Sequence, residues 1–140
     1  MNNKNTFIGC DILKIDRIKE KINLNFNFLS IFYESELNYC NISKDSTNLK
    51  IKNLNNNKDN IKYDSLAAIF SVKESLIKIF SKVKSKNYSQ KDFEILHENK
   101  IPYVKIKNEE IKKYEKNLDI SISHDNEMVF TTAILNVKTN

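Results

Sequence analysis

Two carboxylates and a lysine are the residues of this sequence best placed to do chemistry. Asp11 stands two residues after Gly9, the only glycine in the chain, and in a strand both would lie on one face, with room beside the carboxylate for a bulky group. Glu74 and Lys78 are four residues apart and are therefore neighbours on a helix. Two carboxylates can share a Mg²⁺ ion, and a lysine can reach a phosphate as a point charge. A simpler interpretation stays open, in which Asp11 caps a turn and the other two form a surface ion pair.

A long helix is predicted to carry the last two of these residues. Between residues 66 and 80 the apolar residues recur at helical spacing and fill one broad side, while serines and charged residues share the other. Asp64 is the predicted N-cap of this helix. Lys73 breaks the pattern because it projects from the apolar side, where a lysine needs a partner or a route to water.

The remaining elements predict an α+β fold, with an antiparallel sheet packed against the long helix and several short helices. We expect one domain over residues 1–140, with a polar loop rich in asparagine and lysine at about 41–63. His124 would end one strand, either as a core histidine or at the rim of a pocket. Strands are predicted at 6–12, 92–96, 102–107, 119–124 and 128–137, and short helices at 13–22, 26–32, 34–39 and 108–116.

The composition restricts the class of protein. The chain has 140 residues and a formal net charge of +5, which favours an acidic partner such as nucleic acid, anionic lipid or an acidic protein. No apolar run is long enough to span a membrane, no secretory signal is visible, and the two cysteines form no metal or disulfide pattern. We therefore expect a cytoplasmic protein that does not bind membranes. A nucleic-acid-binding domain is an alternative, although no helix-turn-helix, zinc or aromatic RNA-binding pattern supports it.

Three segments of the chain resemble the 4'-phosphopantetheinyl transferases. Residues 67–78 read AAIFSVKESLIK, similar to the helix signature R-F-A-A-K-E-A followed, after two variable residues, by K. Residues 8–18 read IGCDILKIDRI, close to the I-G-x-D-I-x-x-x-x-R-I of the small holo-acyl-carrier-protein synthase branch. Residues 120–125 read ISISHD, close to the S-x-S-H-T of that branch. The three segments follow the order found in the family.

The resemblance implies both an activity and a set of site residues. It implies Mg²⁺-dependent transfer of the 4'-phosphopantetheine group from coenzyme A to a serine of an apo acyl carrier protein, with release of adenosine 3',5'-bisphosphate, in fatty acid biosynthesis. Asp11 and Glu74 match the Mg²⁺ ligands of the family, and Glu74 would also be the base for the incoming serine. Lys78, Lys73 and His124 match residues near the phosphates of coenzyme A. The resemblance thus makes Glu74, Asp11 and Lys78 the catalytic group.

The resemblance also implies partners. The family's small branch is a homotrimer with active sites between its subunits. Arg17 matches the arginine of the first helix that meets the acidic carrier protein, and Lys14 and Lys21 add positive charge beside it. Two departures from the family pattern, Ile69 for arginine and Asp125 for threonine, keep open a degenerate member that binds carrier protein or nucleotide without transfer.

Overall fold

The computed structural model of the protein describes residues 4–43 and 61–138. The strands are β1 (Lys4–Lys14), β2 (Phe93–Glu98), β3 (Ile101–Ile106), β4 (Leu118–His124) and β5 (Met128–Lys138), and the α-helices are α1 (Ile15–Leu24), α2 (Glu34–Tyr39) and α3 (Tyr63–Lys84). Short 3-10 helices cover Phe26–Ile31, Gln90–Asp92 and Lys112–Asn117. Most of the polar loop predicted at about 41–63 lies outside the described residues. Within the two described ranges, no helix is both long and apolar enough to cross a membrane.

The strands form two antiparallel sheets, so the α+β class predicted from the sequence is confirmed. One sheet has the order β1-β5-β4, and the other pairs β2 with β3. Along β1 the residues alternate between the faces as the sequence predicts. Asp11 pairs with Thr131 of β5 and lies on the face that packs against α3. Ile8 and Ile12 lie on the opposite face, where 53% and 60% of their surfaces are exposed.

Helix α3 packs with its apolar side against the inner face of the three-stranded sheet. It begins at Tyr63, and Lys62 at the N-cap position supplies no side-chain hydrogen bond. Asp64 therefore lies in the first turn instead of capping the helix as predicted, and there a carboxylate still complements the positive end of the helix dipole. The helix ends at Lys84, and the next residue, Ser85, adopts the left-handed conformation with φ of 49°. The most deeply buried apolar residues of the helix are Leu66, Ala67, Ile69, Val72, Leu76, Ile79 and Phe80.

The only glycine of the chain lies where α3 and β1 come closest together. A Cβ atom on Gly9 would overlap the backbone carbonyl of Ser75 and would crowd Cγ1 of Ile79 at 3.0 Å. The missing side chain thus lets the helix backbone approach the strand. This corrects the expectation of open room beside Asp11, because the space at the glycine is occupied by α3 itself.

Lys73, on the apolar side of α3, is fully buried and has a partner. Its Nζ lies 2.7 Å from Oε2 of Glu36, which is also fully buried, and it donates to the carbonyl of Ile31 at 3.2 Å. Glu36 also accepts hydrogen bonds from the backbone N–H groups of Tyr33 and Ile95, so one carboxylate joins α2, α3 and β2. Burial lowers the pKa of Lys73, and the charge of Glu36 opposes that shift. A contact between Lys73 and coenzyme A, expected from the resemblance, does not fit this burial.

The charged α-helix predicted at 108–116 is absent, and a 3-10 helix at Lys112–Asn117 takes part of its place. Asn108 begins the segment, and its Oδ1 accepts a hydrogen bond from the backbone N–H of Glu110 at 3.0 Å. The backbone N–H groups of Ile111 and Tyr114 then donate to carbonyls three residues back, those of Asn108 and Ile111. Bonds at this spacing wind the chain as 3-10 turns instead of an α-helix.

Replacement of Gly9 by alanine tests the close approach of α3 and β1. The added Cβ meets the backbone of Ser75, which cannot rotate away, so we expect Gly9→Ala to lower the free energy of unfolding by about 3 kcal/mol. Denaturant titration measures this loss. Asn5→Ala, at an exposed position of the same strand, is the control and should change the stability by less than about 0.5 kcal/mol. Equal stability of the two variants would contradict the proposed contact.

Candidate active site

Asp11 lies at the centre of a group of polar side chains where β1 packs on α3. Its Oδ1 is 3.0 Å from Nζ of Lys78, and its Oδ2 accepts a hydrogen bond from Oγ of Ser71 at 2.8 Å. Lys78 also donates to the carbonyl of Cys10 at 2.7 Å. The side chain of Asp11 is 17% exposed and that of Lys78 is 48% exposed. The carboxylate is therefore held in place but can still be reached from solvent.

Glu74 lies on the same side of α3, between the two residues that contact Asp11. Ser71 precedes it by three residues and Lys78 follows it by four, and residues at these spacings are neighbours on a helix surface. The lysine pairs with Asp11, while Oε1 of Glu74 accepts a hydrogen bond from Nε2 of Gln90 at 2.7 Å. The simpler interpretations, an Asp11 turn cap and a surface pair of Glu74 with Lys78, therefore do not describe these contacts. Lys78 instead pairs with Asp11, and Glu74 lies one helical turn before that lysine.

The segment that carries Gln90 is itself firmly held. Asp92 accepts hydrogen bonds from the backbone N–H and the hydroxyl of Ser89 at 2.7 and 3.3 Å, which closes the single turn around Gln90. The carbonyl of Asp92 accepts from the backbone N–H of Lys107 at 2.8 Å, which ties this turn to the end of β3. The turn therefore presents the amide of Gln90 to Glu74 in a fixed position.

Sequence reasoning did not identify Ser71 or Gln90 as site residues. The signal for Ser71 was present, since it lies on the polar side of α3 three residues before Glu74. No such signal marked Gln90, because its contact with Glu74 depends on how the segment after α3 folds back.

The donor set suits a magnesium ion. Mg²⁺ prefers one or two carboxylates and takes its other oxygens from phosphates and water. Asp11 and Glu74 supply that number, and the ammonium group of Lys78 already places a positive charge on Oδ1 of Asp11. Within residues 4–43 and 61–138, no group of three or more acidic, histidine or cysteine side chains is placed to hold a metal by itself. The two carboxylates would therefore hold the ion only together with oxygens from a substrate and from water.

His124 lies apart from this group. Its Nε2 is 3.9 Å from Oδ2 of Asp64, in the first turn of α3. Asp64 precedes Glu74 by ten residues, which corresponds to about 15 Å along a helix axis. Within one chain the structure therefore does not bring His124 together with Asp11, Glu74 and Lys78.

His124 instead lines a cavity of about 380 Å³ between the start of α3, the β2–β3 hairpin and β4. His97 and Lys100 contribute further nitrogen groups to its wall. The ring of His97 stacks on Tyr39 with centroids 3.7 Å apart, and burial, together with the charge of Lys62, lowers the pKa of His97. The cavity is thus a polar site with an aromatic wall, and His124 lies at its rim as one of the two sequence interpretations predicted.

Arg17 and the two lysines named with it form one exposed basic row. Lys14, Arg17 and Lys21 are spaced by three and four residues, and all three are exposed. Lys14 belongs to the end of β1, because α1 begins at Ile15 and not at residue 13 as predicted. On the other side of α1, Ile15, Ile18 and Ile22 are buried, so the helix is amphipathic as expected. Because the three side chains are exposed, the basic row is accessible to a partner protein.

Over most of its length the chain is similar to known proteins of one family. Residues 7–133 match the model of the 4'-phosphopantetheinyl transferase superfamily. A holo-[acyl-carrier-protein] synthase of Thermoanaerobacter sp. (strain X514) is 32% identical over 134 residues, which are 91% of this chain and 85% of that protein. A similar protein from Hydrogenobaculum sp. (strain Y04AAS1), with the same name, is 29% identical over 91% of each chain.

Solved structures agree with these matches. The holo-[acyl-carrier-protein] synthase of Helicobacter pylori, in complex with coenzyme A, has a TM-score of 0.63 and 26% identity, and the comparison covers 91% of this chain and 98% of that one. The holo-ACP-synthase of Plasmodium yoelii has a TM-score of 0.67 and covers 99% of both chains, and at 22% identity it supports the fold alone. The resemblance of the three sequence segments is confirmed, and the chain belongs to the 4'-phosphopantetheinyl transferase superfamily.

Proposed function

We propose that this protein is a holo-[acyl-carrier-protein] synthase, which moves the 4'-phosphopantetheine group of coenzyme A to a serine of an apo acyl carrier protein. The proposal is carried by the ion pair of Asp11 with Lys78 where β1 packs on α3, with Glu74 one helical turn before that lysine. Relatives with that name, and a solved relative bound to coenzyme A, support the choice of substrates.

The reaction displaces a phosphate ester at the β-phosphorus of coenzyme A. The serine hydroxyl forms a new P–O bond, the bond to the bridging oxygen breaks, and adenosine 3',5'-bisphosphate leaves. Catalysis of such a transfer depends mostly on positioning and on neutralising charge. When bound, a Mg²⁺ ion held by Asp11 and Glu74 would neutralise the negative charge of the diphosphate.

The side chains of this chain would divide the remaining tasks. Gln90 occupies only Oε1 of Glu74, and among the described residues none donates to Oε2, so this oxygen can accept the proton of the serine. Lys78 is half exposed, and its ammonium group can turn from Asp11 to a phosphate oxygen without crossing the core. Asp11 stays in place because Ser71 holds its other oxygen.

We place the nucleotide end of coenzyme A in the cavity beside His124. The nitrogen groups of His124 and Lys100 suit a phosphate, and the stacked rings of Tyr39 and His97 form an aromatic wall. The distance between this cavity and Glu74 along α3 suits a site shared by two chains, with His124 from one chain and the carboxylates from another.

A homotrimer would provide such shared sites. The outer face of the β1-β5-β4 sheet supports this assembly, because Ile8, Ile12 and Phe130 lie there with 53%, 60% and 46% of their surfaces exposed. An apolar patch of this kind on a small protein indicates a contact surface.

The residues that depart from the family pattern do not belong to the group formed by Asp11, Glu74 and Lys78. Ile69 is buried in the apolar side of α3. The Oδ1 atom of Asp125 accepts hydrogen bonds from the backbone N–H groups of Glu127 and Met128, both at 2.9 Å, and these bonds lower its pKa. Its charge is thus engaged within its own turn, which favours an active enzyme over a degenerate member. Both cysteines are free thiols, consistent with the reducing cytoplasm as the proposed place of action.

Mass spectrometry of an apo acyl carrier protein tests the activity. The carrier is incubated with this protein, coenzyme A and Mg²⁺, and we expect it to gain one phosphopantetheine mass. A carrier that keeps its mass, with a folded protein and a second active transferase as positive control, would contradict the proposal. Binding of coenzyme A without transfer would instead identify the degenerate member.

Replacement of the carboxylates tests the proposed site. Asp11→Asn and Glu74→Gln should each reduce transfer by at least about 100-fold, because the diphosphate loses its neutralising ion or the serine loses its base. Both variants should keep the melting temperature within a few degrees. Glu109→Gln, at an exposed position distant in the chain from both carboxylates, is the matched control. Transfer near the wild-type rate in well-folded carboxylate variants would remove the metal site.

Charge reversal of Arg17 tests the proposed carrier surface. Arg17→Glu should raise the KM for carrier protein by about tenfold at low salt and leave coenzyme A binding unchanged, because acidic and basic surfaces guide association. Lys112→Glu makes the same change of charge elsewhere and should leave the KM within twofold. An equal effect of the two substitutions would point to net charge and not to the basic row.

Light scattering tests the assembly. We expect a particle of three times the chain mass of 16.4 kDa at micromolar concentration. Phe130→Glu, on the outer face of the sheet, should dissociate the trimer and abolish transfer, whereas Leu24→Glu, at a position 86% exposed on α1, should leave both unchanged. A fully active wild-type monomer would rule out sites shared between chains.

A further inference from the structure

Three buried hydroxyl groups connect Asp11 to the interior of the protein. Ser71 and Ser75 of α3 and Thr131 of β5 are each fully buried. Oγ1 of Thr131 lies 2.9 Å from the hydroxyl oxygen of both serines. Of the three hydroxyl groups, that of Ser71 is the one hydrogen-bonded to the carboxylate of Asp11, at 2.8 Å from Oδ2. We call Ser71, Thr131 and Ser75 the hydroxyl chain.

The carboxylate of Asp11 determines the direction in which the three hydroxyl groups donate their hydrogen bonds. An ionised carboxylate can only accept, so the single hydroxyl proton of Ser71 is donated to Asp11. Ser71 must then accept from Thr131, whose own proton is used in that bond. Ser75 in turn donates to Oγ1 of Thr131 at 2.9 Å, and the backbone carbonyl of Thr131 is a second, longer acceptor at 3.4 Å. Each hydroxyl therefore donates in the direction of Asp11, and bonds aligned in this way polarise and strengthen one another.

The proposed cation site does not require this hydroxyl chain. Two carboxylates can hold a cation without it, and the family signature R-F-A-A-K-E-A has alanine at the positions of Ser71 and Ser75. Buried polar groups in proteins almost always have a hydrogen-bond partner, and this rule alone would explain why each hydroxyl has one. It would not explain why the hydroxyl chain ends on a carboxylate whose other oxygen faces Lys78, a half-exposed lysine of the candidate site.

We propose that Ser71 is a positioning residue for Asp11, supported from behind by Thr131. The hydroxyl chain fixes Oδ2 and thereby the rotation of the carboxylate, so that Oδ1 keeps its direction when Lys78 leaves it. Oδ1 then receives the divalent cation without reorganisation. This inference rests on the proposed function, since it assigns Asp11 to the cation of that reaction.

Loss of Ser71 should weaken the cation site selectively. Removal of a group that orients a metal ligand typically costs tenfold or more in metal affinity. We therefore expect Ser71→Ala to weaken Mn²⁺ binding, measured by calorimetry in the presence of coenzyme A, by about tenfold. The KM for Mg²⁺ in transfer should rise by a similar factor, with kcat at saturating Mg²⁺ within twofold of the wild type.

Ser75→Ala is the matched control for this effect. It removes a hydroxyl of the same size, from the same helix, with the same Thr131 partner, but it does not touch Asp11. It should change Mn²⁺ affinity by less than twofold while losing a comparable amount of thermal stability. Thr131→Val should weaken Mn²⁺ binding by about threefold. Thr131→Ser keeps the hydroxyl and should therefore bind Mn²⁺ as tightly as the wild type.

The outcomes separate this inference from the function on which it rests. If the wild type binds Mn²⁺, Asp11→Asn abolishes that binding and Ser71→Ala alone of the two serine variants weakens it, the positioning role is supported. If Ser71→Ala and Ser75→Ala bind Mn²⁺ equally well, the hydroxyl chain only fills the core and the inference is overturned while the function stands. If the wild type binds no Mn²⁺ even with coenzyme A, both are overturned. Should Ser71→Ala fail to fold, equal affinities of Thr131→Val and Thr131→Ser would overturn the inference instead.

Discussion

The contact on which the rest of the structure depends is the approach of α3 to β1 at Gly9. A side chain at this position would overlap the backbone of Ser75, so the helix can lie this close to the strand only where the strand has a glycine. The consequence is chemical, because two residues further along β1 the carboxylate of Asp11 reaches the side chains of Ser71 and Lys78. A helix farther from the sheet would leave the acidic and basic groups of the site out of contact.

A second interaction fixes the opposite side of the same helix. The buried pair of Lys73 and Glu36 ties α3 to α2, and the backbone of Ile95 ties that pair to β2. Lys73 directly precedes Glu74, so the pair also limits how α3 can rotate about its axis. Loss of one member would leave a buried charge without its partner, which is strongly destabilising in proteins. The lysine that directly precedes Glu74 in the signature segment thus holds the helix in position here.

The sequence predicted what depends on local periodicity and failed where distant segments meet. The alternation along β1 placed Asp11 and its glycine on one face, and the short helix predicted at 34–39 has those bounds in the structure. The role of that glycine was misjudged, because nothing in β1 indicates which backbone will pack against it. The partner of Lys73 lies 37 residues away, and the contact of Gln90 with Glu74 depends on where the turn after α3 packs against the helix. Asp11, Glu74 and Lys78 were named because the family resemblance added to residue type and spacing, whereas Ser71 and Gln90, which contact two of them, were not named.

We propose that α3 and β1 together build one divalent-cation site from Asp11 and Glu74. Crystals grown with coenzyme A and Mn²⁺ can show this site, since anomalous diffraction locates the ion without assumptions about the chain. We expect a single strong peak coordinated by both carboxylates, with Lys78 turned from Asp11 towards the phosphates. A manganese peak elsewhere, with Lys78 still paired to Asp11 in the presence of bound coenzyme A, would contradict it.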